Sequence, residues 1–190
     1  MESNTDMWFR QLVYKEMDKV RRLIADYLNA EDEDITFIPN ASHAVNAVLR
    51  SLKIPKGKKI LYLDTAYGMV KNCLKYLKDV DEAQLLEIKI EMPGTNKEII
   101  KQITKTLKEN DIYIAVFSHI TSIPAVILPV EEIIKACHDN GALALVDGAH
   151  AIGAIPVDVK KLGADFWLSN GHKWLFTPKG SAVLYVKRDR

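Results

Sequence analysis

Lys173 stands in Ser-Asn-Gly-His-Lys-Trp (169–174), just before a hydrophobic stretch that ends at Val186. A lysine amine becomes a nucleophile toward carbonyls when desolvation or a nearby cation lowers its pKa. The plain alternative is a solvated loop lysine. Asp147 closes the apolar run Ala-Leu-Ala-Leu-Val and opens Asp-Gly-Ala-His (147–150). A carboxylate at the end of a buried strand is costly if left unpaired. It either caps the following turn through Gly148 or holds a cationic group in a site. A lysine for a Schiff base and an acid opposite a pyridinium nitrogen are what pyridoxal 5'-phosphate (PLP) requires, together with a phosphate cradle. A helix N-terminus supplies such a cradle through free N–H groups and its dipole. Asn40, Ala41 and Ser42 in Pro-Asn-Ala-Ser-His (39–43) open a helix directly after a strand. Serine there is also an ordinary cap. Tyr67, in Asp-Thr-Ala-Tyr-Gly, offers a flat ring that could stack on a flat cofactor or pack at a sheet edge. His119 and His150 read equally as catalysts or as structural hydrogen-bonding groups.

The elements that must position these residues alternate. Apolar periodicity predicts helices over 6–29, 42–52 and 67–80, another from Thr95, and another from Pro129 to Asn140-Gly141. The first helix should turn Leu12, Val13, Met17, Val20, Leu23, Ile24 and Leu28 to one side. Thr95 and Glu98 have capping-box spacing. Strands are expected at 35–38, 59–63, 85–90, 112–118, 142–147, 165–169 and 182–186. Strands separated by helices imply an α/β fold with a mostly parallel sheet between helical layers, forming one domain over 1–190. Ligands in such sheets bind beyond the carboxyl ends of the strands. Those ends are 39–43, 64–68, 118–122, 147–150 and 169–173, and they hold four of the five histidines.

Composition narrows the partners. Lys and Arg number 26 against 25 Asp and Glu, giving no electrostatic case for nucleic acid or an anionic membrane. No apolar run reaches transmembrane length, and the first ten residues lack the basic start and apolar core of a secretory signal. Cys73 and Cys137 are far apart, so a reducing, cytoplasmic setting is expected.

The stretches 145–186, 37–52 and 118–133 resemble, in the same order, the signature regions of the class V aminotransferases, PLP enzymes of fold type I. The isopenicillin N epimerase-like and cysteine-lyase-like members are the most similar group. The resemblance spans about Trp8 to Val186. It implies that Lys173 forms the internal aldimine and then moves protons at the substrate α-carbon. Asp147 would keep the pyridine nitrogen protonated, and His150 would lie near the phenolic oxygen. Tyr67 would stack on the ring. Ser42, with the N–H groups around Ala41 and His43, would hold the phosphate beside Asn170 and His172. Thr121 or Ser122 would touch the phenolic oxygen. The family's chains are longer. They begin with a glycine-containing segment and end with a small domain that supplies an arginine for the substrate carboxylate. Both parts are expected to be missing here, leaving apolar surface uncovered.

Transamination, racemisation and elimination start from the same aldimine, so the resemblance implies an amino-acid substrate but no single reaction. Desulfuration in this family needs a mobile cysteine, expected in the part of the family's chain that is missing here; Cys73 and Cys137 fall in predicted helices and read as core or surface thiols. A homodimer is expected for the complete protein. Two other readings stand beside the enzyme. One is a non-catalytic remnant that binds PLP or a partner without turnover. The other is a metal-dependent hydrolase using Asp147 and His150 with the distant His172 as third ligand, which leaves Lys173 unexplained.

Overall fold

In the computed structural model, residues 2–188 and 190 are described. Seven strands form one sheet: β1 (Ile35–Ile38), β2 (Lys59–Leu63), β3 (Gln84–Ile88), β4 (Ile112–Ser118), β5 (Leu143–Asp147), β6 (Phe166–Asn170) and β7 (Ala182–Val186). Their order is β1-β7-β6-β5-β4-β2-β3. β3, β2, β4, β5 and β6 pair in parallel, and β7 runs antiparallel to both β6 and β1. The helices are α1 (Val13–Leu28), α2 (Ala41–Ser51), α3 (Gly68–Val80), α4 (Asn96–Glu109), α5 (Val130–Asp139), α6 (Val159–Leu162) and α7 (Gly171–Trp174). The expected capping box at Thr95 and Glu98 is present.

Both faces of the sheet are apolar, as a covered parallel sheet requires. The period of two sorts the side chains. Ala115, Phe117, Ala144, Val146 and Trp167 join one core with residues of α4 and α5. Ile114, Val116, Leu145, Phe166 and Leu168 join a second core with residues of α2 and α3. The same alternation continues one residue further, at the strand ends. Ser118 pairs in register with Asp147, and Asp147 with Leu168. Ser118, Asp147 and Asn170 thus continue the α2/α3 side, while His119 continues the other.

The N-terminal helix departs from expectation. It opens with Thr5–Met7 and a π-helical turn at Trp8–Leu12 before α1. Only Ala25 and Leu28 of α1 are buried. Leu12, Met17, Val20 and Leu23, which belong to the expected one-sided stripe, are exposed, as are Phe9 and Tyr27. The amphipathic stripe is real, but only its C-terminal end meets the sheet. β3 ends two residues earlier than expected, at Ile88. The segment carrying Lys173 is a turn of helix, α7, rather than the expected loop.

Candidate active site

A cavity of about 210 Å³ opens at the carboxyl ends of β4, β5 and β6. Its wall includes Lys173, Asp147, His150, His172, Asn170 and Ser42. Ala41, Tyr67 and Ser122 also line it. Five segments far apart in sequence therefore converge on one hollow. Larger concavities exist, about 530 Å³ beside α5 and α6 and about 660 Å³ along α1. The lysine of the first, Lys161, is solvent-exposed and paired with Glu131, and the second is lined mainly by apolar groups.

Lys173 Nζ lies 3.1 Å from His150 Nε2. Burial holds the lysine below its ordinary value, opposed by the Asp147 carboxylate. His150 is also held below the usual histidine range, first by burial and then by the lysine charge. Asp147 is 6 % exposed. Burial pushes its carboxyl above the usual carboxylate range, opposed by the Ala149 N–H and by Lys173. Its Oδ1 accepts from Ala149 N at 3.0 Å. Asp147 thus caps its turn, through Ala149 rather than Gly148, and also forms part of the cavity wall.

The start of α2 is built by two asparagines. Asn40 Oδ1 accepts from His43 N at 2.9 Å. Asn170 Oδ1 accepts from Ala41 N at 2.9 Å, tying β6 to the helix. Two of the three N–H groups expected to face an anion are therefore already bonded. Ser42 keeps its N–H and hydroxyl without a partner among the described residues. His43 is absent from the cavity wall, and its ring lies 3.3 Å from Asn40 Oδ1. His172 lines the cavity, and its Nδ1 donates to the Ser181 carbonyl at 3.2 Å.

Thr121 and Ser122 separate clearly. The Thr121 hydroxyl donates to Pro124 O at 2.5 Å and accepts from Val126 N at 3.0 Å, closing its own turn. Ser122 lines the cavity. His119 lies on the far face of the sheet, where its Nδ1 accepts from Trp167 Nε1 at 3.3 Å. Burial pushes its pKa down to about 4, so the ring is neutral and structural. Met69, Ser118 and Ile120 also line the cavity; no motif marked them, though Ser118 is the last residue of a strand.

Glycines set the close approaches. A Cβ on Gly148 would lie 2.7 Å from both Leu168 O and the Trp167 ring. Gly153 has φ +79°, and its Cβ would lie 2.4 Å from the Trp174 carbonyl oxygen. This contact presses the turn after β5 onto α7 and brings His150 to Lys173. Gly153→Ala is expected to destabilise the protein by about 2–4 kcal/mol, combining left-handed strain with a backbone overlap. A lowered urea midpoint checks this; an unchanged midpoint contradicts it.

The Aminotransferase class-V family model matches residues 4–190. The chain belongs to the aminotransferase class-V family. An L-cysteine desulfhydrase of Arabidopsis thaliana is 33 % identical over 183 residues, 88 % of this chain and 40 % of that protein. A probable cysteine desulfurase of Methanothermobacter thermautotrophicus is 30 % identical, over 92 % of this chain and 43 % of that protein. Among solved structures, a cysteine desulfurase from Thermococcus onnurineus NA1 superposes with a TM-score of 0.81 at 29 % identity, covering 94 % of this chain and 44 % of that one. The cystine C-S lyase C-DES shares the fold, with a TM-score of 0.87 at 23 % identity, over 94 % of this chain and 48 % of that one. The chain spans about 40 % of the length of the curated relatives it matches.

A C-DES mutant that shares the fold, with a TM-score of 0.86 at 22 % identity, holds glycine covalently linked to its own PLP cofactor, and PLP is the group that the sequence resemblance implies for this chain. The residues present fit it. The cavity holds a half-buried amine, a buried carboxylate, an exposed tyrosine ring and an unpartnered N–H and hydroxyl at a helix start. Among the described residues, no group of three or more His, Cys, Asp or Glu side chains could hold a metal ion. The hydrolase reading therefore lacks its ligand set. No helix of the described residues is long and apolar enough to cross a membrane.

Proposed function

We propose that the chain is the cofactor-binding part of a PLP-dependent lyase that acts on cysteine or a related sulfur amino acid. The observation that carries this reading is the 3.1 Å pair of Lys173 Nζ and His150 Nε2, in one cavity with the buried Asp147. PLP, when bound, supplies an electron sink for the substrate α-carbon. Lys173 would bond the cofactor and then hold or release a proton at that carbon. Asp147 would keep the ring nitrogen protonated. His150 and Ser122 would face the phenolic oxygen. Tyr67 would cover the ring. Ser42 N–H and hydroxyl, with Asn170 and His172, would receive the phosphate.

Neither cysteine of these residues is placed to accept sulfur from a substrate. Cys73 and Cys137 lie in α3 and α5, both buried, and neither lines the cavity. Burial raises both thiols, Cys137 to about 12, so neither supplies a thiolate at neutral pH. These free thiols fit a reducing compartment such as the cytoplasm.

The remnant reading keeps the cofactor and drops the turnover. A titration separates the two readings. PLP added to the protein should give a visible absorption band, and cysteine should then shift that band. A band that ignores cysteine and other amino acids supports a remnant. No band removes the cofactor reading. A homodimer is also proposed for the complete protein. Ile123 and Phe176 are 88 % and 83 % exposed and lie beside cavity segments, where apolar groups fit an interface better than water.

A further inference from the structure

Trp174 follows the lysine directly, is half-exposed, and lies outside the cavity wall. Its indole Nε1–H donates to His150 Nδ1 at 3.3 Å. An indole nitrogen can only donate, so His150 Nδ1 must offer a lone pair. A neutral ring then carries its single proton on Nε2. Nε2 is the atom 3.1 Å from Lys173 Nζ. An Nε2–H facing the amine forms a hydrogen bond only when the amine keeps its lone pair. An ammonium has donors alone and would set N–H against N–H. Burial of both groups pushes toward the same uncharged pair. Asp147 pulls the other way, and Tyr67 and His172 are the remaining titratable groups on the wall among the described residues.

We infer that Trp174 is a positioning residue: by holding Nδ1 of His150 it fixes the Nε2–H tautomer and so keeps Lys173 a neutral, nucleophilic amine. The use of that amine rests on the PLP reading above. The tautomer itself is a property of the cofactor-free protein. The Gly153 contact with the Trp174 backbone gives the arrangement its geometry, because it sets the turn that carries His150 against α7.

The test uses the cofactor-free chain labelled with nitrogen-15 histidine, in long-range proton–nitrogen NMR near neutral pH. The His150 signals are assigned by their loss in His150→Gln. The wild type should show a pyridine-type Nδ1 and a pyrrole-type Nε2. Trp174→Phe keeps a flat ring at a half-exposed position but removes the donor. Its His150 should gain the Nδ1–H form, freeing the Nε2 lone pair to accept from a Lys173 ammonium. Competitive acetylation of Lys173, read by mass spectrometry across pH, should then titrate roughly one unit higher in the variant, a fall of about tenfold in the neutral fraction. A wild-type His150 protonated on Nδ1 overturns the inference without any variant. So does Trp174→Phe if either the tautomer or the Lys173 titration stays where it was. Failure to bind PLP with the tautomer as stated would count against the cofactor reading and leave this one standing.

Discussion

Lys173→Ala loses all covalent retention of PLP while folding as well as the wild type. The amine is half-buried and held below its ordinary pKa by desolvation. Its contact is with the His150 ring, 3.1 Å away. Alanine removes a desolvated amine together with that contact, so folding stability should change by only about 1 kcal/mol in either direction. Covalent attachment should vanish because no other lysine among the described residues lines the cavity. Lys173→Arg should fail in the same way, since a guanidinium stays protonated and cannot act as an amine nucleophile. Denaturing gel filtration after borohydride treatment reads the result. Equal retention of cofactor by wild type and Lys173→Ala would remove Lys173 from its assigned role.

Asp147→Asn should move stability and cofactor affinity in opposite directions. The carboxyl is 6 % exposed, and burial raises its pKa above the ordinary aspartate value of 3.8. The native state therefore binds this proton more tightly than the unfolded chain does. Below 3.8 the buried group is neutral and costs little. As pH rises through the raised native value, a charge is forced into the interior and stability falls. Lys173 opposes that cost in part. Asparagine keeps the shape and cannot ionise, and its side-chain oxygen can still accept from Ala149 N. The cofactor-free variant should be about 0.5–2 kcal/mol more stable near neutral pH, a gain that fades in acid. PLP should bind about 10- to 100-fold more weakly, the loss of one charge-assisted hydrogen bond. Urea titrations at two pH values and a PLP titration check both signs. A variant that is less stable at neutral pH, or that binds PLP as tightly as wild type, contradicts this account of Asp147.

The sheet was legible because its strands are apolar on both sides and are bounded by Pro, Gly and Asn. The carboxyl-end segments were legible for the same reason: Asp147 and Ser118 are the polar residues that end two apolar runs. Other parts depend on contacts that no local pattern records. The stripe on the N-terminal helix marks apolar residues but not which of them meet a neighbour; Leu28 is buried and Leu23 exposed. The family resemblance implies that the N–H groups around Ala41 and His43 face an anion. Asn40 and Asn170 had already bonded both. Asn40 is a local cap and could have been weighed, but Asn170 comes from 129 residues away. Thr121 and Ser122 are adjacent and chemically alike, and only the turn closed by Thr121 tells them apart. Gly153 carried no motif. Its importance lies in a backbone approach to Trp174, visible only once α7 and the turn after β5 are folded together.

The central claim is that Lys173 is the amine that takes the cofactor. The most direct measurement is to load the wild-type chain with PLP, reduce it with borohydride, digest it and map the modified lysine by mass spectrometry. The chain has 20 lysines. The account predicts one stoichiometric phosphopyridoxyl group, on the peptide carrying Lys173. Modification spread over surface lysines, or placed at a different single lysine, would contradict it.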